Sequence, residues 1–189
     1  MTAAQRPLVI LDRDGVINRD SPDFIKSPEE FIPLPGSLAA IAALCDAGFE
    51  VVIASNQSGV GRGLLSIETL ERIHVKLRTE TEAVGGVISG IFFCPHHPDD
   101  GCDCRKPKPG LFEQVSTTYR RDLHGVPTIG DSRRDLDAAL AAGARPILVR
   151  TGNGRKTERE LGADSDVEVY DDLSAAAAAL IDACERNTT

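Results

Sequence analysis

The sequence has no Trp, two Tyr and six Phe in 189 residues, too few aromatic faces for the stacking platforms that bind single-stranded nucleic acid. It also lacks a surplus of positive charge. Lys plus Arg number 21 against 29 Asp plus Glu, a formal charge of -8, so the surface as a whole repels phosphate backbones and anionic lipid. Nucleic acid and membrane surfaces are therefore not expected partners, and a phosphorylated ligand would need positive charge concentrated locally. Long hydrophobic runs are missing as well: Met1 to Pro7 is polar, and the apolar run after it stops at Asp12. A cytoplasmic chain without a targeting or spanning segment is expected. The five cysteines are too few and odd in number for a disulfide framework. With 41% apolar residues at this length, one core and a single domain over residues 1–189 are expected.

What the sequence does contain is an alternation. Short apolar runs at Leu8–Leu11, Val51–Ala54, Ile91–Phe93, Thr128–Ile129 and Ile147–Val149 are separated by stretches of helical period. Ser37 is read as the N-cap of a first helix stopped at Gly48, and Ser66 as the cap of a second with Leu70, Ile73 and Leu77 on its buried stripe. Further helices are expected over Leu111–Leu123, Arg133–Ala142 and Ser174–Cys184. Cys45 and Cys184 fall in helical patterns and read as small buried hydrophobes. Strands alternating with helices imply a parallel sheet covered on both faces, a doubly wound α/β fold whose ligands collect beyond the carboxyl ends of the strands. The proline-rich stretch Asn18–Pro35 is expected to be a loop flanking that site.

Polar residues follow the strands where such a site requires them. Asp12 and Asp14, two residues apart at a strand end, can share a hard divalent cation, and Gly15 lets the chain turn away. Ser55-Asn56-Gln57-Ser58-Gly59 after the second strand can bring donors onto phosphate oxygens. Asp131 adds a third strand-end carboxylate, and Mg2+ is the economical reason for three acids to converge. The segment from Cys94 to Cys104 holds three thiols and two imidazoles, which suits a four-coordinate structural zinc site. Cys94, Cys102 and Cys104 supply three ligands. His96 and His97 compete for the fourth on chemistry alone. Arg105 and Lys106 follow at once and supply the local positive charge.

The set Asp12-x-Asp14, Ser55, Lys106 and Gly130-Asp131, in this order, resembles the haloacid-dehalogenase-like (HAD) phosphohydrolases from about Leu8 to Val149. The resemblance implies a three-layer, Rossmann-like fold without a true cap domain. It makes Asp12 the nucleophile and Asp14 the general acid and base. Ser55 and Lys106 become phosphoryl-binding residues, with Asp12, Asp14 and Asp131 holding Mg2+. More narrowly, the strings DRDGVIN, SNQSGVGRG, CPHHP and CDCRKPKPG look like the bacterial D-glycero-D-manno-heptose 1,7-bisphosphate 7-phosphatases. That likeness implies zinc on Cys94, His96, Cys102 and Cys104. It carries substrate contacts over to Asp20, Ser21, Pro22, Asp23, Ser55, Asn56, Gln57, Ser58, Arg105 and Lys106, and in some members to the position of Ser132. It further implies loss of the C7 phosphate to leave heptose 1-phosphate, a precursor of ADP- or GDP-heptose for lipopolysaccharide core or a related glycan, by a monomeric enzyme. Two departures stand out: Ser132 replaces a Lys of some members, and Ser21-Pro22-Asp23 replaces a His-Gly-Tyr-like stretch. The short gap from His96 to Cys102 also resembles the histidinol-phosphate phosphatases, the nearest alternative. A phospho-acceptor domain without turnover would leave Asp14 without a purpose, and a zinc-organised binding module would leave all the acids without one.

Overall fold

The structure is a computed structural model that describes residues 6–162 and 165–188. Six strands form one sheet: β1 (Leu8–Leu11), β2 (Glu50–Asn56), β3 (Ile88–Cys94), β4 (Pro127–Gly130), β5 (Arg145–Val149) and β6 (Glu168–Tyr170). All neighbours run parallel, in the order β3-β2-β1-β4-β5-β6. Between them lie α1 (Ser37–Asp46), α2 (Ile67–Ala83), α3 (Gly110–Tyr119), α4 (Arg133–Ala141) and α5 (Gly154–Leu161), and α6 (Leu173–Thr188) follows β6. Side chains alternate across the sheet because the strand repeat is two. Val9, Leu11, Val51 and Ile53 pack on one face with Ile41, Ile73 and Leu180 of α1, α2 and α6. Leu8, Ile10, Val52 and Ala54 pack on the other with Phe112, Val115 and Ala138 of α3 and α4. The result is the expected three-layer parallel architecture. Among the described residues no helix is long and apolar enough to cross a membrane.

Several elements differ from the sequence expectations, each for a local reason. Ser37 is the first residue of α1 and not its cap; Gly36, at φ +78°, takes that place. The Ser37 hydroxyl instead donates to the carbonyls of Ile17 (2.6 Å) and Leu34 (2.9 Å). Helix α3 stops at Tyr119 because Arg120 turns left-handed, and Leu123 is buried as a loop residue. Helix α5 and strand β6 were not expected, since the first is almost wholly polar and the second offers only Val169 and Tyr170 as strand signals. Ser55 and Asn56 lie on β2 itself, because its pairing with β3 continues to Asn56 opposite Cys94. Cys45 and Cys184 are only half-buried at the edge of the core. The 18–35 loop holds a single 3-10 turn, Pro28–Glu30, and is pinned where Asn18 bridges to Pro33.

Candidate active site and metal centre

The sheet order reverses at β1. From it the chain builds β2 and β3 on one side, then crosses to β4 on the other, so the loops leaving β1 and β4 diverge and open a crevice. Asp12 and Asp131 stand at those two strand ends. Two glycines make room for them: a Cβ on Gly15 (φ +81°) or on Gly152 (φ +56°) would collide with Asp131 Oδ2. Only a residue without a side chain fits a left-handed turn beside a carboxylate so close.

Asp12, Asp131 and Asp135 bring three buried carboxylates together, with one oxygen of each within 4.8 Å of the others. Burial and the neighbouring acids raise Asp12 to about 6 and Asp131 to about 7. Lys106 lies beneath them, 2% exposed, with Nζ 3.0 Å from Asp12 Oδ1, 2.6 Å from Asp135 Oδ1 and 2.8 Å from the Ala54 carbonyl. Burial disfavours its charge, but Asp12 and Asp135 overcome that and hold it protonated. The same ammonium, with the Ser132 hydroxyl, keeps Asp135 ionised against the cost of burial. Asp131 Oδ2 accepts from the Asn153 main chain at 2.7 Å and its side chain at 3.1 Å, whereas Oδ1 is buried with no hydrogen-bond partner. An orphaned carboxylate oxygen among acids that repel one another is the donor set a hard cation requires. The residues fit Mg2+.

The carboxylate of Asp14 does not join this cluster. Arg13, itself 1% exposed, binds it through Nε (3.1 Å) and Nη2 (2.9 and 3.0 Å), and Asn18 Nδ2 and Gln57 Nε2 each donate to it at 2.8 Å. Burial would raise its pKa, but this charged fork and the two amides hold it below the usual carboxylate range. Asp14 was expected as the third metal carboxylate; its side chain lies with Arg13, Asn18 and Gln57, and the third carboxylate beside Asp12 and Asp131 is Asp135. Sequence spacing placed the pair on one side of a strand end, but it contained no sign that Arg13 would turn inward and claim its neighbour.

A cavity of about 210 Å3 opens over the site. Asp12, Asp14 and Ser55 line it, with the predicted contacts Asn56, Gln57 and Ser58. Asp20, Ser21, Pro22 and Arg105 line it too, together with Phe24, Ile25 and Arg134, which the sequence reading did not single out. Asp23 is not among the lining residues; its amide turns back to donate to Ser21 Oγ at 3.2 Å. Ser132 is not there either, since its amide (3.0 Å) and hydroxyl both donate to Asp135 and close a capping box at the start of α4. Asn56 lines the cavity, yet its amide group pairs with the main chain of Lys106, accepting at 3.1 Å and donating at 3.0 Å. Asn153 is a further residue missed by sequence reasoning, because an Asn before a polar helix carries no catalytic signature.

On the far side of Lys106, Cys94, His96, Cys102 and Cys104 bring four ligand atoms within 4.8 Å of one another. The sulfur separations Cys94–Cys102 and Cys102–Cys104 are 3.6 and 3.7 Å, and His96 Nδ1 lies 3.5 Å from Cys94 and 3.2 Å from Cys104. A tetrahedral thiolate site with metal–sulfur bonds of about 2.3 Å has ligand edges of roughly 3.7 Å. This set can hold a metal ion. His97 is excluded from it, since its Nδ1 accepts from the Asp99 amide at 3.2 Å and caps the turn Pro98–Asp100.

Known proteins resemble this chain in sequence and fold. A HAD-hydrolase-like family model matches residues 103–176, and a polynucleotide kinase 3 phosphatase model matches residues 9–133. The chain is 54% identical over 174 residues to a D-glycero-beta-D-manno-heptose-1,7-bisphosphate 7-phosphatase of Bordetella bronchiseptica, covering 92% of this chain and 97% of that protein. It is 49% identical to the protein of the same name from Pseudomonas aeruginosa, covering 93% and 98%. The crystal structure of the B. bronchiseptica D,D-heptose 1,7-bisphosphate phosphatase, complexed with magnesium and phosphate, superposes with a TM-score of 0.90 at 53% identity, covering 94% of this chain and 99% of that one.

Proposed function

The chain belongs to the D-glycero-beta-D-manno-heptose-1,7-bisphosphate 7-phosphatases of the HAD type, and from that premise we propose that it removes the C7 phosphate of heptose 1,7-bisphosphate with Mg2+ as cofactor. The observation that carries the chemistry is the buried Asp12–Lys106–Asp135 contact beside the unpartnered oxygen of Asp131. Asp12, Asp131 and Asp135 are the side chains that would hold Mg2+, which supplies positive charge against the repulsion between a carboxylate and a phosphate dianion.

Lys106 and the Arg13 amide (2.8 Å) engage Asp12 Oδ1, leaving Oδ2 to attack phosphorus. The bond from phosphorus to the sugar oxygen breaks as the bond to Asp12 forms, giving an aspartyl-phosphate. Ser55, buried and receiving the Gln57 amide at 2.9 Å, is placed to donate its hydroxyl to a phosphoryl oxygen. Asp14 gives a proton to the departing alkoxide, then takes one from the water that releases phosphate. The Arg13 fork holds it ionised at rest, suited to the second step. The approach of a phosphate dianion raises its proton affinity, so that it takes up a proton from solvent before the first step and returns one to solvent after the second. The Cys94/His96/Cys102/Cys104 set holds zinc in a structural role and thereby fixes the main chain at Arg105 and Lys106. The proposal includes a monomer built as one domain, acting in the cytoplasm, where thiols of such a cluster stay reduced.

Phosphate release from the α and β anomers of heptose 1,7-bisphosphate, histidinol phosphate and fructose 1,6-bisphosphate, with and without Mg2+, tests this reading. Heptose bisphosphate is expected to give the highest kcat/KM, with the C7 phosphorus signal alone disappearing by NMR. A preference for histidinol phosphate would overturn the substrate assignment.

A further inference from the structure

The turn between β5 and α5 is built around one acidic side chain. Asp131 Oδ2 accepts from the Asn153 main-chain amide at 2.7 Å and from Asn153 Nδ2 at 3.1 Å, while the Asp131 carbonyl accepts from the buried Thr157 hydroxyl at 2.9 Å. Thr151 Oγ1 donates to the Gly15 carbonyl at 2.6 Å and fastens the same turn to the loop leaving β1. With Oδ2 occupied, Oδ1 is the oxygen of Asp131 left over for a cation. The Asn153 side chain reaches further. Its Nδ2 also donates to Asp20 Oδ2 at 3.1 Å, and Asp20, whose Oδ1 is held by the Ser21 amide at 2.8 Å, lines the cavity. An Asn directly before a helix ordinarily turns its oxygen onto a free amide of the first turn. Asn153 stands at that position of α5 and makes no such bond. A carboxamide nitrogen carries two hydrogens, one for each carboxylate, which a hydroxyl with one hydrogen cannot match.

We propose that Asn153 is a positioning residue that bridges the metal carboxylate Asp131 and the cavity-lining Asp20, so that Mg2+ on Asp131 also orders the Asp20 side of the crevice for the sugar. A cation on Oδ1 fixes the plane of the Asp131 carboxylate. Oδ2 then fixes the Asn153 amide, and the second hydrogen of that amide fixes Asp20. Groups that orient a metal ligand from behind set the affinity of the site as well as its direction. Metal and substrate binding are thereby linked, each strengthening the other by the same factor. The inference rests on the phosphatase reading above and adds to it a residue that acts through two others.

The test compares the intact wild-type protein with Asn153→Ala and Asn153→Ser in three measurements: calorimetric titration with Mg2+ alone, hydrogen exchange over residues 18–24 with and without Mg2+, and heptose 1,7-bisphosphate kinetics at saturating Mg2+. Asn153→Ala is expected to weaken Mg2+ binding about tenfold or more, the usual effect of removing a group that orients a metal ligand. Mg2+ should slow exchange over 18–24 in the wild type and leave it unchanged in Asn153→Ala. KM should rise by more than kcat falls, because the reacting acids keep their places while the sugar wall loosens. Asn153→Ser, with a single donor, should fall between. Asn153 is exposed, so both variants should melt at the wild-type temperature in the absence of Mg2+. Unchanged Mg2+ affinity in Asn153→Ala would overturn the bridge. So would exchange over 18–24 that ignores Mg2+ in the wild type or follows it equally in the variant, and so would a loss confined to kcat. Titration and exchange need no turnover, so a wild type that behaves as expected in both but leaves heptose bisphosphate intact would overturn the phosphatase reading and not the bridge.

Discussion

As the proposed nucleophile, Asp12 has to react while buried among like charges, and its neighbours show how that is managed. Lys106 at 3.0 Å offsets part of the penalty, yet Asp12 still sits at about 6, so its charge is costly to the fold. Asp12→Asn keeps the shape and removes the charge. Turnover should fall by at least about a thousandfold, whereas the melting temperature should hold or rise, because desolvation of a carboxylate is relieved. Phosphate release and thermal melting check both, and wild-type turnover would remove Asp12 from its role. Asn56 acts one step away, through two hydrogen bonds to the Lys106 main chain. Asn56→Ala is expected to cost about 1–3 kcal/mol, the usual penalty for stranded polar groups. It should lower kcat more than it raises KM, because it displaces the cation and not the sugar. Kinetics with circular dichroism would separate this from simple unfolding.

The segment from Cys94 to Lys106 joins two functions in one stretch of chain. It leaves β3 at a cysteine, closes four ligand atoms into a cluster, and delivers Lys106 beneath Asp12. In the proposed zinc site, metal binding would be folding energy, on the order of 10 kcal/mol in small zinc sites. Cys102→Ala should therefore lower the melting temperature and reduce activity together, and elemental analysis of the wild-type protein should find about one zinc per chain. Zinc-free protein with full activity would refute the structural role. Much of this segment could be read in the sequence, because ligand spacing is local: Cys102 and Cys104 alternate onto one side of an extended chain. The choice of His96 over His97 was not local. It depended on a turn whose cap consumes the His97 ring.

For the molecule as a whole, the three-acid cluster couples stability to pH and to Mg2+. Burial and mutual repulsion place Asp12 at about 6 and Asp131 at about 7, above their ordinary 3.8. The folded chain thus holds protons that the unfolded chain has released. Their contribution to stability is full below about pH 4 and is lost as pH rises through 6 to 7. Asp135, held low by Lys106, works in the opposite sense and only at more acid pH. Zinc-loaded protein free of Mg2+ should lose on the order of 2 kcal/mol or more between pH 5 and pH 8. Added Mg2+ should restore most of this at pH 8 and little at pH 5. Melting curves across that range, with and without Mg2+, are the measurement, and a profile indifferent to the metal would contradict the cluster.

Features fixed by short-range spacing were open to inspection from the start: the alternating strands and helices, the strand-end positions of Asp12, Asp14 and Asp131, and the thiol-rich loop. Strand repeat, helix period and ligand geometry are properties of neighbouring residues, so a linear string encodes them directly. What the fold alone settled was which groups answer one another across the crevice. Asp135 joins the acids because α4 begins with a capping box beside β4. Asp14 leaves them because Arg13 and Asn18 of its own turn and Gln57 beyond β2 surround it. Asn153 and Arg134 reach the site from elements whose sequences look like ordinary polar surface. Those partnerships are decided by burial and by contacts such as Gln57 with Asp14 and Asn153 with Asp131, distant in the chain, and neither exists until the sheet has assembled.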